Sequence, residues 1–227
     1  MEQTQAAATS RPRIDPRALT PPTARAERTA NLLVLLVVAL ALGLGWGLKV
    51  YVENRTATYS DPTMAFVYPV TWVTDQDDDG NPMLRDPQSG PTLFNDRLVV
   101  IHAAAPRSTL PGSSPLAETA TAWALKRATA LSTFRNLATL DRDPNTDQPL
   151  TVAGQPAIRV DYAYVAEPGT GLGQPGVPIV VRGSDYVTLN GDQLTVLSGQ
   201  ASADHWQAFE PQLKKIIAGA IASQGGS

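Results

Sequence analysis

The chain has 227 residues, a formal net charge of −3 and no cysteine. The missing thiol excludes disulfides, thiolate nucleophiles, cysteine-ligated zinc or iron–sulfur sites, c-type haem attachment and lipid attachment through an N-terminal cysteine. Arg11, Arg13, Arg17, Arg25 and Arg28 against Glu2, Asp15 and Glu27 make the first segment basic and the remainder acidic, which argues against nucleic acid as a partner because phosphate binding needs a basic face.

Residues 1–30 are rich in Ala, Thr, Pro and Arg, and Pro12, Pro16, Pro21 and Pro22 interrupt any long helix. With little apolar surface to offset ordering entropy, this segment reads as a disordered cytoplasmic tail. Next comes Leu32 to Leu48, LLVLLVVALALGLGWGL, without a charge. At about 1.5 Å rise per residue the run gives roughly 26 Å of apolar helix, and Lys49-Val50-Tyr51-Val52 extends it toward bilayer thickness. Residues 31–52 are therefore expected to be a single transmembrane signal-anchor helix. The arginines on its N-terminal side predict a cytoplasmic N-terminus and an extracytoplasmic C-terminal domain at the cell membrane. A cleaved signal peptide is the alternative, although the polar leader is long and LGLGWGLKVYV lacks a small-x-small cleavage site. Ala39, Gly43 and Gly47 recur every four residues and would line one helix face, where a second helix can approach closely. Trp46 and Tyr51 suit the interfacial aromatic belt.

Residues 53–62, ENRTATYSDP, read as a polar tether, and residues 63–223 as one extracytoplasmic domain, with 224–227 a short tail. In the domain, Met64 to Tyr68 and Thr71 to Val73 suggest strands broken at Pro69. The run DRLVVIHAAA from Asp96 to Ala105 suggests a central strand. Ser114 is placed to cap a helix with Pro115 at its first position and Glu118 in its first turn. Leu116, Ala120, Trp123, Ala130, Leu131 and Phe134 lie near one face of that helix, and the pattern from Phe134 to Arg142 fits its end or a strand equally. Ile158, Val160, Tyr162 and Tyr164 alternate with Arg159, Asp161 and Ala163, as in a half-buried strand. Glu167 to Pro178 is a Gly/Pro loop of the kind that can contact a partner. Ile179 to Leu189 and Leu194 to Leu197 form a hairpin about Asn190-Gly191. A last helix is capped by Asp204 and interrupted near Pro211.

This order, with FVYPVTW, the central helix, GQPAIRVDYAY, VVRGSDYVTLNGDQLTVLSGQA and HWQAFEPQLKKII, resembles the PsbP-like family over residues 64–223. The resemblance implies an α+β fold, an antiparallel sheet with helices on both faces, preceded here by the transmembrane helix. It also implies a binding, assembly or accessory module rather than an enzyme.

One motif suggests a ligand. Asp75, Asp77, Asp79 and Gly80 spell D-x-D-x-D-G, with Asp86 at the twelfth position, a spacing that lets alternate carboxylates converge on calcium. Asp in place of Glu at position twelve, Pro82 within the loop and a strand before it weaken the match, and an acidic solvated turn is the alternative. His102 in an apolar strand and His205 at a helix start have no metal-site spacing. No G-x-S-x-G elbow is present, and the G-x-G at Gly171 and Gly173 lacks the helix of a phosphate loop. The expectation is a non-catalytic, membrane-anchored accessory or assembly subunit of a larger membrane complex, with other membrane-protein subunits as partners and no cofactor. A stand-alone extracytoplasmic ligand- or calcium-binding module is the alternative.

Overall fold

The structure is a computed structural model that describes residues 24–89, 94–105, 114–131, 133–166 and 177–223. Readings of residues 1–23, 167–176 and 224–227 lie outside the described residues. The chain divides into two units between Val50 and Tyr51.

The first unit contributes helix α1, Ala24–Glu53, whose span Glu27–Val52 is long and apolar enough to cross a membrane and is wholly unburied. A helix apolar on every side needs an apolar medium or a partner around it.

The second unit is built on antiparallel strands. One sheet joins β1 (Thr56–Ser60), β2 (Met64–Pro69) and a later two-residue strand, β11 (Ile221–Ala222), in the order β1-β2-β11. The other contains β3 (Val73–Gln76), β4 (Pro82–Arg85), β5 (Arg97–Ala104), β6 (Arg135–Leu140), β7 (Thr151–Val152), β8 (Gln155–Ala166), β9 (Ile179–Asn190) and β10 (Gln193–Ser202). Its order is β3-β4-β5-β10-β9-β8-β6, with β7 paired to β8 off that path. Helix α2 (Pro115–Ala130) packs on β8 and β9, burying Ala120 and Trp123 against Val160, Val187 and Val196. Helix α3 (Trp206–Ala218) covers the other face, where Phe209, Leu213 and Ile216 meet Phe66, Leu98 and Leu197. Each such fully buried side chain contributes roughly 1.5–3 kcal/mol. The α+β architecture with helices on both faces is thus the one expected.

The details differ in instructive ways. Residues 56–60, expected to be tether, are strand β1, and the strand expected at Thr71 to Val73 starts only at Val73, as β3, after a turn at Thr71-Trp72. Residues 135–140 are a strand rather than a helix end. Strand β8 is buried on both faces, so Arg159 and Asp161 point under α3 and not into water. The hairpin pairs Asn190 with Gln193, making its loop Gly191-Asp192, and of the two only Gly191 has positive φ. Ser114 lends α2 its carbonyl, which accepts the Glu118 N–H, but no side-chain cap. The cap residue of α3 is His205 rather than Asp204, and the helix runs unbroken through Pro211.

Candidate functional site

The acidic motif spans the β3–β4 hairpin. Asp77 organises the turn: its Oδ1 accepts the N–H of Asp79 at 3.0 Å and of Asn81 at 2.8 Å, while the Asn81 side-chain amide donates to Oδ2 at 2.9 Å. Gly80, at φ +81°, completes the bend. Asp75 faces Arg85 across the hairpin at 3.7 Å. Strand β4 then carries the chain away from the turn before Asp86, whose Oδ1 accepts the Gln88 N–H at 2.9 Å. Four extended residues separate Asn81 from Asp86, about 13 Å of strand. The four-carboxylate calcium site is therefore not assembled in this geometry, and among the described residues no group of three or more His, Asp or Glu could hold a metal ion. The sequence spacing looks like one loop because Pro82 to Arg85 is too short to carry a strand pattern of its own.

Both histidines pair with carboxylates. His102 Nε2 lies 3.1 Å from Asp61 Oδ2 and its Nδ1 lies 3.2 Å from Thr195 Oγ1. The composition is that of a hydroxyl–imidazole–carboxylate relay, but Thr195 is buried mid-strand, between His102 of β5 and Thr188 of β9. Its main chain is committed to the ladder, leaving no donors for an oxyanion. The pairing instead fastens the β1–β2 hairpin to the large sheet. Asp61 Oδ1 also accepts the Thr63 hydroxyl and the N–H groups of Thr63 and Met64. Burial raises the Asp61 carboxyl, and these hydrogen bonds with that from His102 outweigh it, leaving the group below the ordinary carboxylate range.

His205 Nδ1 lies 2.6 Å from Oδ2 of buried Asp96, whose N–H donates to Ser89 Oγ. Burial pushes the Asp96 carboxyl up to about 6, with His205 opposing and Asp86 and Asp204 adding to the rise. The unfolded chain releases that proton near pH 4, so between about pH 4 and 6 the folded protein binds more protons. Stability from this group is full below pH 4 and is lost as pH rises through 6. Asp96→Asn is expected to flatten the dependence of the urea midpoint on pH in that window, and an unchanged slope would assign it to other groups.

Two polar clusters lie inside the domain, one under each helix. Under α2, Asp185 accepts from Trp123 Nε1 at 2.6 Å, Arg127 Nε at 2.9 Å and Tyr162 Oη at 2.9 Å. Gln200 continues the network to Tyr164 and Arg97. Under α3, Arg159 donates two bonds of 2.7 Å to Asp161, which also accepts the Ser184 hydroxyl, and Arg159 reaches Glu210 at 3.3 Å. Opposite charges two residues apart on a strand share a face, so Arg159 and Asp161 were the sequence signal for this pair. Asp185 gave none, because its partners are remote in sequence.

Among the described residues, both histidines and the carboxylates of Asp61, Asp96, Asp161 and Asp185 are engaged in pairs that hold elements together. A groove of about 400 Å³ is lined by Thr56, Val67, Tyr68, Gln212, Lys215 and Ile216, among others. Ala39, Gly43 and Gly47 lie within α1, and around Gly43 and Gly47 an added Cβ meets nothing within 4 Å.

No family model and no curated protein matches the chain. Solved structures do. PsbP (CyanoP) from Synechocystis sp. PCC 6803 is 16% identical with a TM-score of 0.48, over 74% of this chain and 92% of that one. LpqN of Mycobacterium tuberculosis, involved in cell envelope biogenesis, is 13% identical with a TM-score of 0.44, over 76% and 94%. The Saccharomyces cerevisiae Ran-binding protein Mog1p is 13% identical with a TM-score of 0.45, over 73% and 94%. The domain behind the apolar helix resembles PsbP in fold.

Proposed function

We propose that the chain is a single-pass membrane protein whose extracytoplasmic domain is a non-catalytic accessory or assembly module for other membrane proteins. The observation that carries this reading is α1, an unburied apolar helix that runs to within three residues of the first strand of the domain. The arginines before the helix support a cytoplasmic N-terminus, and the engagement of the acid–base groups in structural pairs supports a role in binding rather than catalysis.

Alkaline carbonate is expected to leave the full-length chain in the membrane pellet, and protease outside sealed cells to remove the domain while sparing the tail. Release into the wash, or a protected carboxyl end, would overturn the anchor and its orientation. Purification in mild detergent is expected to bring down stoichiometric membrane-protein partners. A bare monomer in several gentle detergents would count against the assembly role.

A further inference from the structure

The free edge of β1 is built to pair with a further strand. In the β1–β2 ladder Asp61 N–H donates to Met64 O at 2.9 Å and Val70 N–H to Arg55 O at 3.0 Å. Antiparallel pairs alternate between residues that exchange both backbone bonds and residues that exchange none. Residues 55, 57, 59 and 61 therefore turn their main chain toward β2, and Thr56, Thr58 and Ser60 turn theirs away. Those three side chains are also the exposed ones of the strand. Among the described residues nothing pairs with this edge, since β1 ends its sheet.

Sheet edges are ordinarily blunted by charge, proline, bulges or brevity. The other edges of these two sheets are: β3 runs into Asp77, Asp78 and Asp79, β6 carries Arg135 and a bulge between Asn136 and Ala138, and β11 has two residues. Strand β1, TATYS, carries no charge, proline or bulge within its five residues.

We infer that this edge pairs with the same edge of a second copy of the chain, antiparallel and centred on Thr58. The inference rests on the membrane anchor proposed above. A two-fold axis at Thr58 sets Thr58 opposite Thr58 and Thr56 opposite Ser60, so outward main-chain groups meet outward groups at every pair. The sequence is thus self-complementary in one register, and three such pairs provide about six backbone hydrogen bonds. Hydroxyl faces hydroxyl across the join, a favourable cross-strand pairing, and no like charges meet.

Chain connectivity selects a second copy over an unrelated strand. In this register the two Thr56 residues are four strand positions apart, about 14 Å. Each is three residues beyond Glu53, a reach of about 10 Å, so the two anchors can enter one bilayer side by side. Packed helices stand about 8–10 Å apart, and the ridge of Ala39, Gly43 and Gly47 offers a face for that approach. Confinement of both copies to one membrane raises the effective concentration at which so short an edge pairs.

The absence of cysteine makes the test direct. Single-cysteine full-length chains are oxidised in native membranes after a carbonate wash. Opposed residues of a hydrogen-bonded pair lie about 5.5 Å apart at Cα, within disulfide reach. Thr58→Cys is expected to form a covalent dimer; Thr56→Cys and Ser60→Cys are expected to stay monomeric alone and to crosslink when co-expressed. Thr58→Pro removes an N–H that β2 does not use, so the fold survives and the Thr56–Ser60 crosslink is lost. The inference is overturned if Thr58→Cys remains monomeric, if it joins a chain of different mass, or if Thr56→Cys alone dimerises as well as Thr58→Cys. Loss of the chain to the carbonate wash would instead strike the anchor, before any crosslink is read.

Discussion

Asp185→Ala is expected to lower the unfolding free energy by about 3–5 kcal/mol, the cost of breaking a buried charge pair from one side. The Asp185 side chain is 0% exposed and is the common acceptor for Trp123, Arg127 and Tyr162. Burial would lower the Arg127 guanidinium, but the Asp185 carboxylate outweighs it and holds the group above its ordinary range. Without Asp185, Arg127 keeps its bond to Ser198 Oγ and its place over the Trp123 and Tyr162 rings but loses its counter-charge, the Trp123 indole loses its acceptor, and the Tyr162 hydroxyl is left with Ser198 Oγ at 3.3 Å. Trp123 and Arg127 are both on α2, so the loss falls on the contact that seats this helix on the sheet. Urea unfolding followed by tryptophan fluorescence measures it. Arg127→Met in the same chain removes the stranded cation and is expected to recover part of the loss, since buried ion pairs exchanged for apolar packing are often neutral. Equal stability of Asp185→Ala and the parent would show that water reaches this cluster.

The parts of this fold that sequence reveals are those whose two faces meet different surroundings, or whose pattern is long. The run from Leu98 to Ile101 and the hairpin about Gly191 belong to that class. Strand β8 does not: the alternation of Tyr162 with Asp161 looks like core against water, whereas α3 covers the second face and the polar residues there satisfy one another. Strand β1 has no aliphatic residue larger than alanine, so its composition is that of a linker, and only the register with β2 distinguishes it. The acidic motif is divided between two elements for a related reason. Pro82 to Arg85 is short and opens on a proline, yet it pairs on both sides, with β3 and with β5, and moves Asp86 away from the turn. In each case long-range pairing outweighed local composition, as it does for strands generally.

Gly183→Ala is expected to be the other severe substitution, at about 3 kcal/mol or somewhat more, the upper range for overpacking a filled core. Gly183 lies opposite Tyr162 in the β8–β9 ladder, and an added Cβ would fall 2.4 Å from the ring carbon Cζ. A flexible side chain could give way, but Tyr162 cannot. Its ring is fully buried and stacks on Phe134 at 5.4 Å, while its hydroxyl donates to Asp185 and accepts from Gln200 Nε2 at 3.1 Å. Moving the ring by the required ångström would break those bonds as well as the packing. The expected signature is non-additivity. Tyr162→Ala alone costs about 3–5 kcal/mol, and in that background the methyl of Gly183→Ala enters vacated space and costs little, giving a coupling of at least 2 kcal/mol in a double-mutant cycle. Additive effects would mean that the glycine serves the backbone rather than the ring. The φ of Gly183 is not among the positive ones, so the backbone conformation itself admits a side chain and the nearest obstacle is the ring.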